Sequence, residues 1–334
     1  MSHYSVCVVI PHEAFDGDFS YAGIEYALES IMAPYDEGTE DARFAEFCDR
    51  TEEAKENYAN EKIRAIRFPD GHMVPMFSHE FTDKYMFAED TIFEKDPEDS
   101  SKRIESDAAK ALKVVEDQPI STFYTFPRYC SDYCGYIKGK GGTWGCISNP
   151  NAEWDWYDIG GRFPGEFLTR SDNNQVLPVR KDEVVPDAPR GYRYVNAARM
   201  KDIAWDKIRE LKVEAVKTGY ERLKKAFEAK DSTELPTYAQ ITEDGIAGWC
   251  EMLFRKGETL EQYMSDRGAT EADQYPIDTY AFIDRDGEWH AHGEMGWFGV
   301  SMNEKPAREW RDELVGQSKL IDPEDVLVCV DCHI

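Results

Sequence analysis

Apolar and polar positions along the chain fall into blocks of different period. Tyr4–Ile10 (YSVCVVI) is a short, β-branched apolar run and predicts a buried strand. After a turn-rich segment, Ile24, Leu28 and Ile31 recur at helical spacing. Residues 22–31 therefore predict a helix, stopped at Ala33-Pro34-Tyr35 because proline cannot continue it. Residues 40–62 and 98–117 read as further helices. The first is heavily charged; the second carries Ile104, Ala108, Leu112 and Val115 on one stripe, with Ser100 as a cap. Asp70-Gly71 marks a tight turn between them, and Ile120–Phe126 reads as a strand. Residues 127–165 hold eight glycines and three prolines and read as a long loop, which inside a compact domain is usually functional.

The longest helical pattern is 196–230. Ile203, Leu211, Ala215, Tyr220, Leu223 and Phe227 form its apolar side, and Lys and Glu its solvated faces. Residues 241–254 and 259–267 read as shorter helices. Asp286-Gly287 between two apolar runs predicts a hairpin over 279–291. Residues 305–315 read as a helix that tolerates Pro306 in its first turn, and 325–330 as a strand. Strands near both ends with helices between them predict an α+β fold. Its mixed sheet includes the N- and C-terminal strands and is packed by several helices, with a long aromatic and Gly-rich loop region. We expect one large domain over 1–334, with a candidate helical insertion at about 196–270.

Charge narrows the partners. Of 334 residues, 66 are acidic and 39 basic, a net charge of −27. Such a surface repels phosphate backbones and anionic membranes, so direct nucleic-acid binding is disfavoured. The acidic stretches 36–41, 49–56 and 94–99 read either as solvated surface or as phosphate mimicry towards a basic groove on another protein. The chain shows neither a run of 18 apolar residues nor a secretory leader, and its eight cysteines read as reduced thiols of a cytoplasmic protein.

The segment Asn149–Arg162 (NPNAEWDWYDIGGR) concentrates the candidate chemistry. Trp154, Trp156 and Tyr157 offer flat surfaces, Asp155 a hydrogen-bond acceptor, and Arg162 a planar fork for carboxylate or phosphate. Together they read as a ligand pocket; the plainer alternative is an aromatic plug with Arg162 paired to Asp155 or Asp158. Nothing in the chain is a phosphate-loop or dinucleotide fingerprint.

A second cluster holds His290, His292 and Glu294, which share a face if the strand persists and would then suit acid–base or metal chemistry. Cys329, Cys332 and His333 invite a zinc reading with Cys130, Cys134 and Cys146. However, a strand sends 329 and 332 to opposite faces, so zinc is the weaker candidate and the cofactor stays open. Cys332 as a nucleophile would need a remote base such as His292, because Cys332 and His333 point apart. The catalytic candidates are thus His292, Glu294, Cys332 and His333.

These segments, with Ala33-Pro-Tyr-Asp-Glu37, His292-Gly-Glu-Met-Gly-Trp297 and the closing Asp331-Cys-His-Ile334, resemble an uncharacterised protein family of bacteriophages, prophages and Gram-positive hosts. The family pattern is a tract like NPxAxWDWYxxGGRW and a DCHI tail. Here Phe163 and Phe298 stand where the pattern has Trp, which preserves an aromatic. The resemblance implies a phage or mobile-element origin and brings no activity with it. Two main expectations follow. One is a phage accessory protein that engages a host protein, such as a nucleic-acid-binding defence enzyme, through an acidic surface. The other is a small-molecule or nucleotide-binding protein, or an enzyme, built on the aromatic tract. A non-catalytic interaction module is the third.

Overall fold

The computed structural model describes residues 2–248, 252–270, 275–296 and 300–334; Cys250, Trp297 and Phe298 lie outside the described residues. Whereas the sequence suggests one domain, contacts divide the chain into two compact units, 1–39 with 151–334 and 40–150. The 196–270 segment belongs to the first unit.

The first unit is built on an eight-stranded mixed sheet. Strand β1 (His3–Ile10) pairs antiparallel with β8 (Val326–His333) along its whole length, from His3 opposite His333 to Ile10 opposite Val326. On the other side of β1, β6 (Ala281–Ile283) runs parallel and forms a hairpin with β7 (Trp289–Ala291). Strand β8 is also paired by β2 (Trp156–Ile159) at its C-terminal end and by β5 (Tyr192–Arg199) at its N-terminal end. Strands β3 (Phe167–Arg170) and β4 (Val176–Pro178) pair with β5.

Period-two alternation divides the sheet into two buried faces. Tyr4, Val6, Val8 and Ile10, with Val326, Val328, Val330 and Cys332, pack under Ile24, Leu28 and Met32 of α1 (Tyr21–Met32). Cys7, Val9, Leu327 and Cys329 face the other way, with Phe282 and with Trp310 and Leu314 of α4 (Ala307–Ser318). Burial on both faces is why these strands read as continuous apolar runs. Each fully buried aliphatic side chain contributes about 1.5–3 kcal/mol.

Helix α2 spans Trp205–Ala229 instead of starting near 196, because Tyr192–Arg199 is consumed by the sheet. Its Tyr220, Leu223 and Ala226 pack on Ile246, Phe254 and Tyr263. The helix expected over 241–254 is not found among the described residues: Gly245–Ala247 and Met252–Arg255 are antiparallel strands placing Ile246 opposite Phe254. Helix α3 (Leu260–Asp266) opens on a capping box between Thr259 and Gln262.

The second unit carries three small three-stranded sheets. Here the predicted helices shorten. Residues 40–62 contain a strand, Glu46–Asp49, before the helix Thr51–Asn60. In 98–117 only Asp107–Ala111 is helical, capped by Ser106, and Lys113–Pro119 pairs with Lys62–Arg67. Ala109 and Leu112 bury against Ile66 and Phe81, so this stripe is apolar for packing between short elements, not along one helix. Residues 120–122 form a 3-10 turn, not a strand, and the supposed loop contains the strand Trp144–Ser148. Among the described residues no helix is long and apolar enough to cross a membrane.

Candidate functional site

The aromatic tract and the chain's closing residues meet as strands. Pairing of β2 with β8 sets Trp156 opposite His333 and Asp158 opposite Asp331, and β1 adds His3 opposite His333 and Ser5 opposite Asp331. Directly paired residues project to the same side of a sheet. One face at this end therefore gathers His3, Ser5, Trp156, Asp158, Asp331 and His333. The intervening Tyr4, Tyr157 and Cys332 belong to the opposite, apolar face.

Two carboxylate–imidazole pairs lie side by side on the polar face. His3 Nδ1 contacts both oxygens of Asp331, at 2.9 and 3.1 Å. His333 Nδ1 lies 2.6 Å from Asp155 Oδ1, and its Nε2 is buried without a partner. The indole of Trp156 stacks on His333, with centroids 5.1 Å apart and planes at 17°. His3 sits edge-on to both rings, 5.3 Å from Trp156 and 5.0 Å from His333.

The Gly160-Gly161 turn fastens the end of β2 over this face. Both residues have positive φ, 77° and 56°. A Cβ on Gly161 would come within 2.6 Å of Asp331 Cβ, and one on Gly160 within 2.4 Å of Glu183 Oε1, so only glycine fits. Beyond the turn, the Arg162 amide donates to Asp331 Oδ2 at 3.0 Å. Glu183, whose side chain is 3% exposed, accepts from the amides of Gly161 and Arg180 and from Asn196 Nδ2, and is also ion-paired to Arg180. Arg180 grips Asp158 through both terminal nitrogens, at 2.8 and 2.5 Å, and the Tyr21 hydroxyl donates to Asp158 at 2.8 Å. The guanidinium and this hydroxyl outweigh burial and hold the Asp158 carboxyl below its usual value. Burial, then Asp158, pushes the Tyr21 phenol up to about 12.

Over this network opens a cleft of about 630 Å³, with His3, Trp156, Arg162, Arg180, Val184 and Asp331 among its walls. Trp156 remains 44% exposed. The Arg162 guanidinium is exposed and makes no hydrogen bond or ion pair with the described residues. Asp155 and Asp158, the partners offered for it by the plug reading, are engaged by His333 and Arg180.

Of the five tract residues singled out from sequence, Trp156 and Arg162 line the cleft, and Asp155 acts beneath it through His333. Trp154 and Tyr157 meet edge-to-face at 5.1 Å on the apolar side and serve the core. The catalytic candidates do not assemble. Cys332 is fully buried, and burial pushes its thiol well above the normal range, which opposes a nucleophilic role. His292 Nε2 lies 2.8 Å from the Lys305 carbonyl, and the ring stacks on Trp310. Its neighbour His290 is held between Asp284 and Glu313. Glu294 pairs with Met302 on a separate small sheet.

Sequence reasoning missed His3, Arg180 and Glu183. His3 had a usable signal: once β1 and β8 are neighbours, position 3 falls opposite the DCHI tail. Arg180 and Glu183 lie in an irregular segment and had none.

The described cysteines are free thiols, and Cys329 and Cys332 do point to opposite faces. Among the described residues, the one group of three potential metal ligands is His12, Glu13 and Asp325, and Arg285 already bridges Glu13 and Asp325. The acidic stretches are partly committed to local bonds. Asp49 accepts from the Thr51 amide, Glu52 pairs with Lys55, Glu53 with Arg50, and Asp96 and Asp99 close turns.

No protein-family model, curated protein or solved structure matches this chain.

Proposed function

We propose that the cleft binds a small molecule carrying both a flat ring and an anionic group, of which a nucleotide is the natural representative. The supporting observation is that an unpartnered Arg162 guanidinium and the partly exposed indole of Trp156 line the same cleft. Stacking and a charge-assisted fork recognise such a ligand together. About 630 Å³ lies within the range of small-molecule sites, roughly 300–1,000 Å³. The Glu183–Arg180–Asp158 network, which lines the same cleft, gives the wall a fixed shape before a ligand arrives.

Titration with nucleoside monophosphates, followed by calorimetry, tests this reading. Arg162→Ala should weaken binding about 10- to 100-fold, the worth of a hydrogen bond to a charged group. Its melting temperature should stay unchanged, because the guanidinium supports nothing in the fold. Absence of binding by every monophosphate, or an Arg162→Ala variant of full affinity, would sink the reading.

A second reading draws on the net charge of −27 and on the exposed Glu52 and Glu56 of the helix Thr51–Asn60. In it the chain is a phage-encoded accessory protein acting in the host cytoplasm, where its acidic surface occupies the basic groove of a defence protein. Reversing Glu52 and Glu56 to Lys should then abolish capture of that host protein while leaving monophosphate binding intact. Unchanged capture by the reversed protein removes this reading.

A further inference from the structure

We propose that the cleft is a hydrolytic centre for nucleoside phosphodiesters, with His3 as its general base; the proposal rests on the ligand reading above. The tautomer of His3 follows from its partner. A carboxylate can only accept, so the Nδ1 facing both Asp331 oxygens carries the hydrogen, and a neutral ring keeps its lone pair on Nε2. That Nε2 has no hydrogen-bond partner among the described residues, and the ring lines the cleft.

Asp331 is committed to this task. Its side chain is 3% exposed, and its second oxygen is fixed by the Arg162 amide. A buried carboxylate that orients an imidazole and leaves the far nitrogen unused is the arrangement a general base requires. The contrast within this protein is direct. His290 uses both ring nitrogens on carboxylates, as a structural histidine does.

The substrate class follows from the walls. Trp156 offers a face for a base, and Arg162 a fork for an anion. A phosphodiester keeps a charge for that fork while presenting a bond to break, whereas a bare carboxylate presents none. The cleft lining contains no hydroxyl or thiol side chain, so water supplies the nucleophile. Water oxygen attacks phosphorus, and one water proton passes to His3 Nε2. The ester P–O bond breaks with its electron pair on the leaving oxygen, which takes the proton back from His3 or departs as the anion. Arg162 neutralises the charge that builds on the non-bridging oxygens. His333, stacked beneath Trp156 and oriented by Asp155, is a positioning residue for the indole.

The experiment uses the p-nitrophenyl ester of thymidine 5′-monophosphate as substrate, with a chelator present, and thymidine 5′-monophosphate as the binding probe. The wild-type protein should release p-nitrophenolate. His3→Gln should lose about 10²- to 10⁴-fold of that rate, the usual contribution of a general base, with a much smaller change in affinity for the monophosphate. A His3→Ala variant should regain turnover with added imidazole. Binding without hydrolysis by the wild type, or full turnover by His3→Gln, overturns the catalytic proposal and leaves the ligand reading standing. Failure of both binding and hydrolysis removes both.

Discussion

At the scale of single residues, adjacent side chains in the tract and tail have opposite fates. In Trp156–Asp158 and in Asp331–His333, alternation along a strand separates neighbours by the full thickness of the sheet. Cys332 is a core residue between two site residues, and Tyr157 another. The ion pair of Asp158 with Arg180 has a consequence for acid stability. Because the folded carboxyl lies below its ordinary value, the pair's contribution is complete above the unfolded pKa of about 3.9 and is lost as pH falls through the lower folded value. Asp158→Asn should therefore lower stability at neutral pH and flatten its acid dependence, which denaturant titration between about pH 2 and 6 would reveal. An unaltered acid limb would contradict this.

At the scale of elements, local signals and tertiary pairing carry unequal information. Helix α1 begins where Ser20 accepts from the Gly23 amide, at 3.1 Å. Ser20→Ala should destabilise the first unit by about 1 kcal/mol in chemical denaturation, whereas Ser20→Asp should be nearly neutral. This helix, the hairpin of β6 and β7, helix α4 and both terminal strands were legible in the sequence. Each has a period or a turn residue that acts within a few positions. Residues 98–117 and 241–254 were not legible. Their apolar spacing fits a helix, but Val114, Val115, Ile246 and Phe254 find cross-strand partners, and pairing overrides propensity. The candidate site was half legible for the same reason. Trp156, Arg162 and His333 stood out by type, while His3 became visible only through the register of β1 on β8.

At the scale of the whole molecule, burial has been accepted for two acids. It pushes Glu153, helped by Glu294, and Glu166, helped by Asp278, each up to about 7. Unfolded glutamates titrate near 4.3, so the fold favours the protonated forms. Stability from these groups is complete below about pH 4 and declines as pH rises through 7, above which both are charged in the fold. Glu153→Gln with Glu166→Gln should raise the melting temperature at about pH 8 and change it little near pH 5. A melting temperature lowered equally at both values would show instead that the carboxyls are needed for their bonds.

One of the longest-range connections in the fold also has a history. His3 and Asp331 are 328 positions apart, yet they share one hydrogen-bonded pair. During synthesis β1 cannot meet β8 until nearly all of the intervening chain has left the ribosome. Until then the strand Tyr4–Ile10 presents an apolar, unpaired edge, the kind of surface that recruits other nascent chains. Loop closure over that distance makes the sheet centre a late event of folding. Chaperone supply during translation should therefore govern the yield of active protein more strongly than any single contact in the finished cleft.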